Sequence, residues 1–331
     1  MNLDVAAFPH APDEELAPLL EDLLVRPDFQ EVYQAADAVR RQTVGDTVHI
    51  RALLEFSNYC RRRCRYCGLN AAHKQTRYRM TAEEILASAQ EASAAGYRTL
   101  VMQSGEDPGF PLKLLGEVIR EIKSRTGMAV TVSCGEMAEE DYAYLRRCGA
   151  DRYLLKHETA DPALYDQLHP CGTLGNRVGC LRTLKRLGFE TGGGFMVGLP
   201  GQTPAVIARD LLLLRSIPCD MAGIGPFIAH PATNLRGCPN GSTELTKRAV
   251  SLARLLLPGA NLPATTALGV LDGEEKSDVF SCGANVVMKK ITPDPYKQLY
   301  EIYPSSMGKT DVAGERRQLE QQIRALGRIP R

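Results

Sequence analysis

The sequence predicts an α/β protein built as a complete (β/α)8 barrel of the TIM type with an N-terminal helical extension. Eight short apolar runs, most followed by a helix-like segment, argue for a parallel sheet, because parallel neighbours need a helical crossover between them. Eight such repeats over ~250 residues match the repeat number and length of a closed (β/α)8 barrel. An open, doubly wound sheet is the alternative. In a barrel, active groups belong at the C-terminal ends of the strands.

Local signals mark where several elements begin and end. Thr81 with Glu84 forms a capping box, which satisfies two helix amides reciprocally and marks a helix start. Glycines such as Gly96 and Gly127 close helices. The predicted strands are 48–56, 99–103, 129–133, 152–155, 190–197, 220–225, 263–268 and 284–288. The predicted helices are near 13–24, 30–41, 81–94, 111–125, 138–147, 175–187, 203–215, 243–256, 273–281 and 314–326.

Linker composition does not divide the chain, since no Gly/Ser-rich or Pro-rich stretch interrupts it. We therefore expect one barrel domain with an extension at each end. In the tail, Leu319, Ile323 and Leu326 recur at helical spacing, which is typical of a core-facing stripe. The expected segments are an N-terminal helical extension over 1–43, the barrel over 44–304 and a C-terminal helical tail over 305–331.

Composition excludes several classes of protein. The 331 residues are 44% hydrophobic and 24% charged, near the globular average, which rules out disordered, collagen-like and low-complexity chains. The 40 Lys and Arg residues balance 39 Asp and Glu, so nothing global indicates binding to nucleic acid or an anionic membrane. The longest aliphatic run, 211–214, is far shorter than the ~20 residues of a spanning helix. Without a secretory signal, we expect a soluble, cytoplasmic protein.

Three of the ten cysteines crowd into one loop after the first predicted strand, at Cys60, Cys64 and Cys67. In a large chain without a signal peptide, metal binding or catalysis explains this better than a disulfide framework. Structural zinc needs a fourth protein ligand, which is missing nearby, and three-cysteine catalytic zinc sites are uncommon. Sulfur-rich ligation suits an iron–sulfur cluster. A 4Fe–4S cluster held by three cysteines leaves one iron free to bind a small molecule.

The segment EFSNYCRRRCRYCGLN, residues 55–70, resembles the motif of the radical S-adenosylmethionine (SAM) superfamily, in which an aromatic residue precedes the last cysteine. That aromatic residue is Tyr66 here. The resemblance implies that the free iron chelates the amino and carboxylate groups of SAM. One electron from the reduced cluster then breaks a C–S bond and releases methionine and a 5′-deoxyadenosyl radical. The protein positions this chemistry and excludes water from it.

Other segments resemble the elements that bind SAM in the same superfamily. Residues 103–106 look like the loop for the methionine amino group, with a plain strand-to-helix turn as the alternative. Glu158 can accept hydrogen bonds from ribose hydroxyls, and Arg177 offers a planar fork to the methionine carboxylate. The run MVGLPGQT, residues 196–203, matches a turn whose glycines let the backbone approach adenine. The implied cofactor-binding residues are Tyr66, Gln103, Ser104, Gly105, Glu106, Glu158, Arg177, Met196 and Gly198.

Within the superfamily, the chain from about 44 to 304 resembles the HydE family of FeFe-hydrogenase maturases. The blocks that carry this resemblance include RYRMTAEEI, ADRYLLKHETADP, GIGPFIAHPAT, LPATTALG, CGANVVM and TPDPYKQLYEIYP. The resemblance implies a role in assembly of the hydrogenase H-cluster, by radical attack at sulfur in a small-molecule organometallic substrate, a cysteine-bound iron carbonyl–cyanide species. It also implies HydG and HydF as partner maturases, and reduced flavodoxin or ferredoxin as the electron donor.

A substrate cavity inside the barrel is part of what the resemblance implies. Thr265 and Thr266 end the seventh predicted strand and offer hydroxyls and amides to a carboxylate or cyanide, although threonine is also a common strand residue. Tyr300 and Tyr303 can share a helix face, with core packing as the alternative. The implied lining residues are Gln103, Thr131, Lys156, Thr265, Thr266, Met288, Tyr300 and Tyr303.

Two features depart from the HydE pattern. Many members carry three further cysteines near the C-terminus for a second cluster, but no cysteine follows Cys282 here, so no second cluster is expected. Lys156 stands where an arginine is expected, which replaces a bidentate fork by a point charge.

Arg61, Arg62, Arg63 and Arg65 form a basic loop around the predicted cluster. It is either a solvated face that offsets the anionic cluster or a docking surface for an acidic electron donor. Two other functions stay open: another radical SAM enzyme, resembling methylornithine synthase or biotin synthase, and a non-catalytic iron–sulfur scaffold that does not cleave SAM.

Overall fold

Parallel strands form the centre of the fold. The computed structural model describes residues 5–272, 279–304 and 310–331. Within these ranges the strands are β1 (Thr47–Ser57), β2 (Thr99–Ser104), β3 (Ala129–Ser133), β4 (Arg152–Leu154), β5 (Glu190–Gly193), β6 (Met196–Val197), β7 (Met221–Ala222), β8 (Gly225–Pro226), β9 (Pro263–Ala264), β10 (Val286–Lys290) and β11 (Ile329–Pro330).

Eight of these strands make the barrel sheet, in the order β7-β5-β4-β3-β2-β1-β10-β9, and all of its pairs are parallel. β1 pairs on both sides, with Ala52 opposite Leu100 of β2 and Lys289 of β10. At the seam, β7 is joined to the chain leading into β9 by a single bridge between Met221 and Asn261. The barrel is therefore nearly closed, and the prediction of a complete barrel overstates its closure at this seam.

Helices connect the strands, and two more precede β1. The described helices are α1 (Asp13–Val25), α2 (Gln30–Thr43), α3 (Ala82–Ala94), α4 (Leu112–Thr126), α5 (Glu139–Arg147), α6 (Pro162–Leu168), α7 (Leu174–Arg186), α8 (Pro204–Ser216), α9 (Thr243–Leu256), α10 (Thr266–Asp272), α11 (Tyr296–Leu299) and α12 (Val312–Ala325). α1 packs against α8, and α2 against α9. Arg215 of α8 holds the segment before α1 by donating to the carbonyl oxygens of Phe8 and Ala11.

The predicted helix signals act as expected at several positions. Thr81 Oγ1 accepts from the Glu84 amide at 3.2 Å, and the Glu84 carboxylate accepts from the Thr81 amide at 2.7 Å, so the capping box is confirmed. Gly127 ends α4 in the left-handed conformation, with φ at 65°. The core-facing stripe of the tail is only partly right, because Ile323 is buried but Leu326 is 41% exposed. In the described ranges, no helix is both long and apolar enough to cross a membrane.

Two predicted strands are each divided in two. The run 190–197 forms β5 and β6, and the run 220–225 forms β7 and the start of β8. The division occurs at Gly194, which has φ at 148° and lies close to Gly223. A Cβ atom on Gly194 would lie 2.2 Å from the Gly223 carbonyl oxygen. Beyond this crossing, β6 and β8 pair with each other.

The predictions are least accurate near the seventh and eighth strands. The run 263–268 is a strand only over its first two residues, because β9 ends at Ala264 and the Thr265 hydroxyl accepts from the Leu268 amide at 3.4 Å to start α10. The predicted helix near 273–281 lies mostly on residues 273–278, outside the described residues. The last predicted strand, 284–288, begins two residues later than expected, at Val286.

Candidate active site

A cavity of about 330 Å³ occupies the barrel at the C-terminal ends of the strands. Every residue predicted to bind the cluster, SAM or substrate lines this cavity except Gly198. Gly198 has φ at 87° and packs against Gly241, where a Cβ atom would lie 2.4 Å from the Gly241 Cα atom. Its backbone packs against this neighbouring glycine, and its contact with adenine stays a prediction.

The three cysteines of the 55–70 loop present their thiols to this cavity. Burial raises the pKa of all three thiols, that of Cys64 to about 12, so iron binding must displace their protons. Among the described residues, no group of three or more His, Cys, Asp or Glu side chains converges as closely as a single bound ion requires. A cluster in which each thiolate binds a different iron does not need that convergence. Three thiols on one loop are the sulfur donors that iron–sulfur clusters use, so Cys60, Cys64 and Cys67 fit a 4Fe–4S cluster.

Two glycines let other segments pack directly against the cysteine loop. A Cβ atom on Gly105 would lie 2.3 Å from the Tyr59 carbonyl oxygen and 2.6 Å from the Cys60 Cβ atom. A Cβ atom on Gly68 would lie 2.1 Å from the Glu301 carbonyl oxygen. Because backbone atoms occupy both positions, only glycine fits there without moving the loop.

Tyr66, between the second and third cysteines, is held by a histidine that the sequence analysis missed. The Tyr66 hydroxyl lies 2.9 Å from Nε2 of His169, at the end of α6. The His169 ring stacks on Tyr165, with ring centroids 4.1 Å apart. Burial lowers the pKa of His169 to about 4, so the ring is neutral near pH 7.

Arg177 of α7, on the cavity wall, belongs to an ion-pair network. Its Nε atom lies 2.8 Å from Glu136 Oε1, and Arg62 Nη2 lies 3.0 Å from Glu136 Oε2. Arg62 also pairs with Glu106, whose carboxylate accepts a hydrogen bond from the Glu136 amide. Glu136 thus helps to position Arg177, together with the Tyr165 hydroxyl, which accepts from Arg177 Nε at 3.3 Å. No local sequence signal indicated this role of Glu136.

This network removes one of the four arginines of the predicted basic loop from the surface. The Arg62 side chain is only 16% exposed and is neutralised by two carboxylates. Arg61, Arg63 and Arg65 remain exposed, with Arg61 also in contact with Glu106. The outward basic surface therefore consists of these three arginines.

Glu158, after β4, is held in an unusual backbone conformation. Its φ of 68° lies in the left-handed region that non-glycine residues rarely adopt. Its amide donates to the Gly194 carbonyl at 3.0 Å, and its carbonyl accepts from the Met196 amide at 3.1 Å. The Oε2 atom is buried and receives no well-formed hydrogen bond, although Lys156 Nζ lies 3.1 Å away. A carboxylate on the cavity wall that can still accept hydrogen bonds suits the ribose hydroxyls of SAM.

The opposite wall carries charged groups that the sequence analysis missed. Lys290 Nζ lies 2.9 Å from Glu55 Oε1, and the Thr292 hydroxyl donates to Glu55 Oε2. Arg51 donates to the Met221 sulfur at 3.1 Å, and burial lowers its pKa to about 10. Arg51 and Glu55 lie at alternate positions of β1, so the two-residue period of a strand could have indicated that both face the cavity.

The predicted substrate residues meet on the remaining surface of the cavity. The Thr131 hydroxyl is buried and has no hydrogen-bond partner within the described part of the chain. Gln103, Lys156, Thr265, Thr266 and Met288 line the same space. Tyr300 and Tyr303 also line it, but the predicted shared helix face is wrong because α11 ends at Leu299.

Three cysteines on one loop at the C-terminal end of a parallel barrel, with Glu158 and Arg177 on the same cavity, define a class of enzyme. The chain matches the Radical SAM superfamily over residues 54–214. It is a radical SAM enzyme.

Comparison with individual relatives identifies the family within this superfamily. The FeFe hydrogenase maturase subunit HydE of Thermotoga maritima is 50% identical over 279 residues, covering 84% of this chain and 80% of the relative. The chain therefore belongs to the HydE family. A 3-methylornithine synthase of Methanosarcina barkeri is 28% identical over 288 residues, covering 85% and 80% of the two chains. The crystal structure of methylornithine synthase (PylB) superposes with a TM-score of 0.85 at 24% identity, over 99% and 97% of the two chains, and supports the fold.

Proposed function

We propose that this enzyme cleaves SAM reductively and acts on a sulfur-containing iron carbonyl–cyanide precursor during assembly of the FeFe-hydrogenase H-cluster. The similarity to the Thermotoga maritima HydE protein carries this proposal. The cavity supports it, because the cysteine loop, Glu158, Arg177 and the predicted substrate residues all line the same space.

In this proposal each part of the cavity has a separate task. Cys60, Cys64 and Cys67 would hold the 4Fe–4S cluster, which when bound and reduced would supply the electron for reductive cleavage of SAM. Arg177 binds the methionine carboxylate, while Glu158 accepts hydrogen bonds from the ribose. The barrel interior would limit the access of water to the reacting groups.

The inner wall would bind the precursor. Thr131 offers a buried hydroxyl without a partner in the described chain, and Lys156 offers a positive charge. Thr265 and Thr266 add two hydroxyls beside the start of α10. Carboxylate, cyanide and carbonyl groups accept hydrogen bonds, so this set of donors matches the proposed substrate.

The surface above the cluster would receive an acidic electron donor, either flavodoxin or ferredoxin. Arg61, Arg63 and Arg65 supply the positive charge there. Reversing Arg61 and Arg63 to Glu should slow donor-dependent cluster reduction and flatten its salt dependence, while reduction by dithionite stays unchanged. Unchanged donor kinetics would exclude this docking face.

In vitro maturation tests the proposed function. Apo-hydrogenase is incubated with HydG, HydF, a reductant, SAM and the cluster-loaded chain, and hydrogen evolution is measured. The proposal predicts activity that depends on the chain. Thr131→Val should lower it while SAM cleavage persists, whereas Thr76→Val, on the surface, should not. Failure of the wild type to support maturation would contradict the assigned role.

A second candidate is an amino-acid mutase, because the similarity to 3-methylornithine synthases covers most of the chain. Incubation of the reduced enzyme with SAM and an amino-acid mixture, followed by mass spectrometry, distinguishes the two functions. Formation of 3-methylornithine would favour the mutase.

A further inference from the structure

Lys156 and Glu158 form an ion pair inside the active cavity, between the region proposed for SAM and the region proposed for substrate. The Lys156 Nζ and Glu158 Oε2 atoms are 3.1 Å apart, and both residues line the cavity. The contact lacks good hydrogen-bond geometry at Oε2. An ion pair of this kind can exchange partners when a better hydrogen-bond donor reaches the carboxylate.

The two members of the pair differ in freedom of movement, and Glu158 is the fixed one. Its left-handed backbone is clamped between Gly194 and Met196. Two residues on, the Ala160 amide donates to the carboxylate of Asp210, a residue of α8 that is fully buried. This bracing fixes the Glu158 backbone, and the Glu158 side chain is also less exposed than that of Lys156, at 15% against 28%.

Lys156 is the member that can move. Its side chain is 28% exposed, and four rotatable methylene groups separate the ammonium from the backbone. It lies beside Gly223, which has no side chain to block rotation of the lysine stem. Other cations that line the cavity have further partners: Lys290 pairs with buried Glu55, and Arg177 donates to the Tyr165 hydroxyl at 3.3 Å. Arg51 is buried and donates to the Met221 sulfur.

We infer that Lys156 couples the two regions of the cavity. When the ribose hydroxyls of SAM donate hydrogen bonds to the Glu158 carboxylate, the Lys156 ammonium is released and can bind an anionic group of the second ligand. The inference rests on the proposed SAM site at Glu158. Because linkage is reciprocal, an anion bound at Lys156 must also strengthen SAM binding by the same factor. SAM and substrate would then be bound together more often than independent binding allows, so the radical would more often form with its target present.

Equilibrium dialysis on the cluster-loaded enzyme tests this coupling. The cluster is kept oxidised so that SAM binds without being cleaved, and the SAM dissociation constant is measured with and without acetate or L-cysteine as anionic probes. The inference predicts a decrease of about fivefold or more with a probe. Lys156→Gln should abolish the decrease, Lys156→Arg should retain it, and Lys113→Gln, on the exposed face of α4, should behave as wild type.

The outcomes separate the inference from the proposed function. A SAM dissociation constant that neither probe changes in the wild type would overturn the coupling and leave the SAM site intact. The same decrease in Lys156→Gln as in the wild type would also overturn it. If the cluster-loaded wild type does not bind SAM at all, both the proposed function and the coupling fail.

Discussion

The Tyr66 hydroxyl donates a hydrogen bond to His169, and the direction of that bond follows from a second contact of the same ring. His169 Nδ1 lies 3.1 Å from the Tyr165 carbonyl oxygen, which can only accept. Nδ1 therefore carries the proton, and Nε2, 2.9 Å from Tyr66, must be the acceptor. The aromatic residue of the cysteine loop is thus anchored to the end of α6.

A double-mutant cycle tests this anchor. Tyr66→Phe and His169→Phe each remove one partner and keep an aromatic ring, so each should lower the free energy of unfolding by about 1 kcal/mol or more. The double variant should cost about 1 kcal/mol less than the sum of the two single variants. Urea unfolding of the cluster-free protein measures all three differences. Strict additivity would show that the two side chains do not interact.

The buried imidazole also predicts a pH dependence. The pKa of His169 is lowered to about 4, whereas a free histidine titrates near 6.5. Between these values the unfolded chain binds a proton that the folded chain does not. The contribution of neutral His169 to the free energy of unfolding is therefore fully present above about pH 6.5 and is lost as the pH falls toward 4. Lowering the pH from 7 to 5 should therefore cost His169→Phe about 2 kcal/mol less than it costs the wild type.

Urea unfolding at the two pH values measures this difference. His10→Phe, at an exposed position, serves as the control and should follow the wild type. An equal loss of stability in His169→Phe and the wild type would mean that the imidazole is not held neutral.

Arg177 provides a test of the proposed carboxylate site. Arg177→Lys keeps the charge but loses the planar fork that Glu136 orients, so SAM affinity should fall about tenfold. Arg182→Lys makes the same exchange on an exposed position of α7 and should leave SAM affinity unchanged. Equilibrium dialysis of the oxidised, cluster-loaded proteins gives both values. Equal affinity in the two variants would remove Arg177 from the site.

Gly105 tests whether close backbone packing shapes the cysteine loop. Gly105→Ala places a methyl group where the Tyr59 carbonyl oxygen and Cys60 lie, so it should destabilise the protein by about 1–3 kcal/mol and reduce iron uptake during reconstitution. Gly179→Ala, within α7, meets no atom within 4 Å and should be stabilising. Iron content and thermal unfolding of both variants check this. Normal iron loading of Gly105→Ala would contradict the packing argument.

Local signals determined how much could be predicted from the sequence. Cys60, Cys64 and Cys67 lie within one short loop, and helix caps such as Thr81 with Glu84 span four residues, so both were recognisable. His169 was missed because its partner Tyr66 is 103 positions away, and Glu136 because its role depends on contacts with Arg62 and Arg177. Such pairings depend on the tertiary fold and leave no periodic trace in the sequence.

The errors in the barrel have a physical origin as well. Strands such as β7 and β9 are two residues long in the structure, too short to show a period. Thr265, read as a strand residue, instead caps α10, since a threonine hydroxyl serves either role. The seam, where one bridge joins Met221 to Asn261, depends on the curvature of the whole sheet.

SAM cleavage by cysteine variants tests the central claim most directly. The wild type, Cys64→Ala and Cys171→Ala are reconstituted anaerobically with iron and sulfide, reduced with dithionite and given SAM, and 5′-deoxyadenosine is measured by chromatography. Cys171 is exposed and serves as the matched control. We expect 5′-deoxyadenosine from the wild type and Cys171→Ala, and none from Cys64→Ala. A cluster-loaded wild type that forms none, or a Cys64→Ala variant that forms as much as the wild type, would contradict the assignment of the cysteine loop as the catalytic centre.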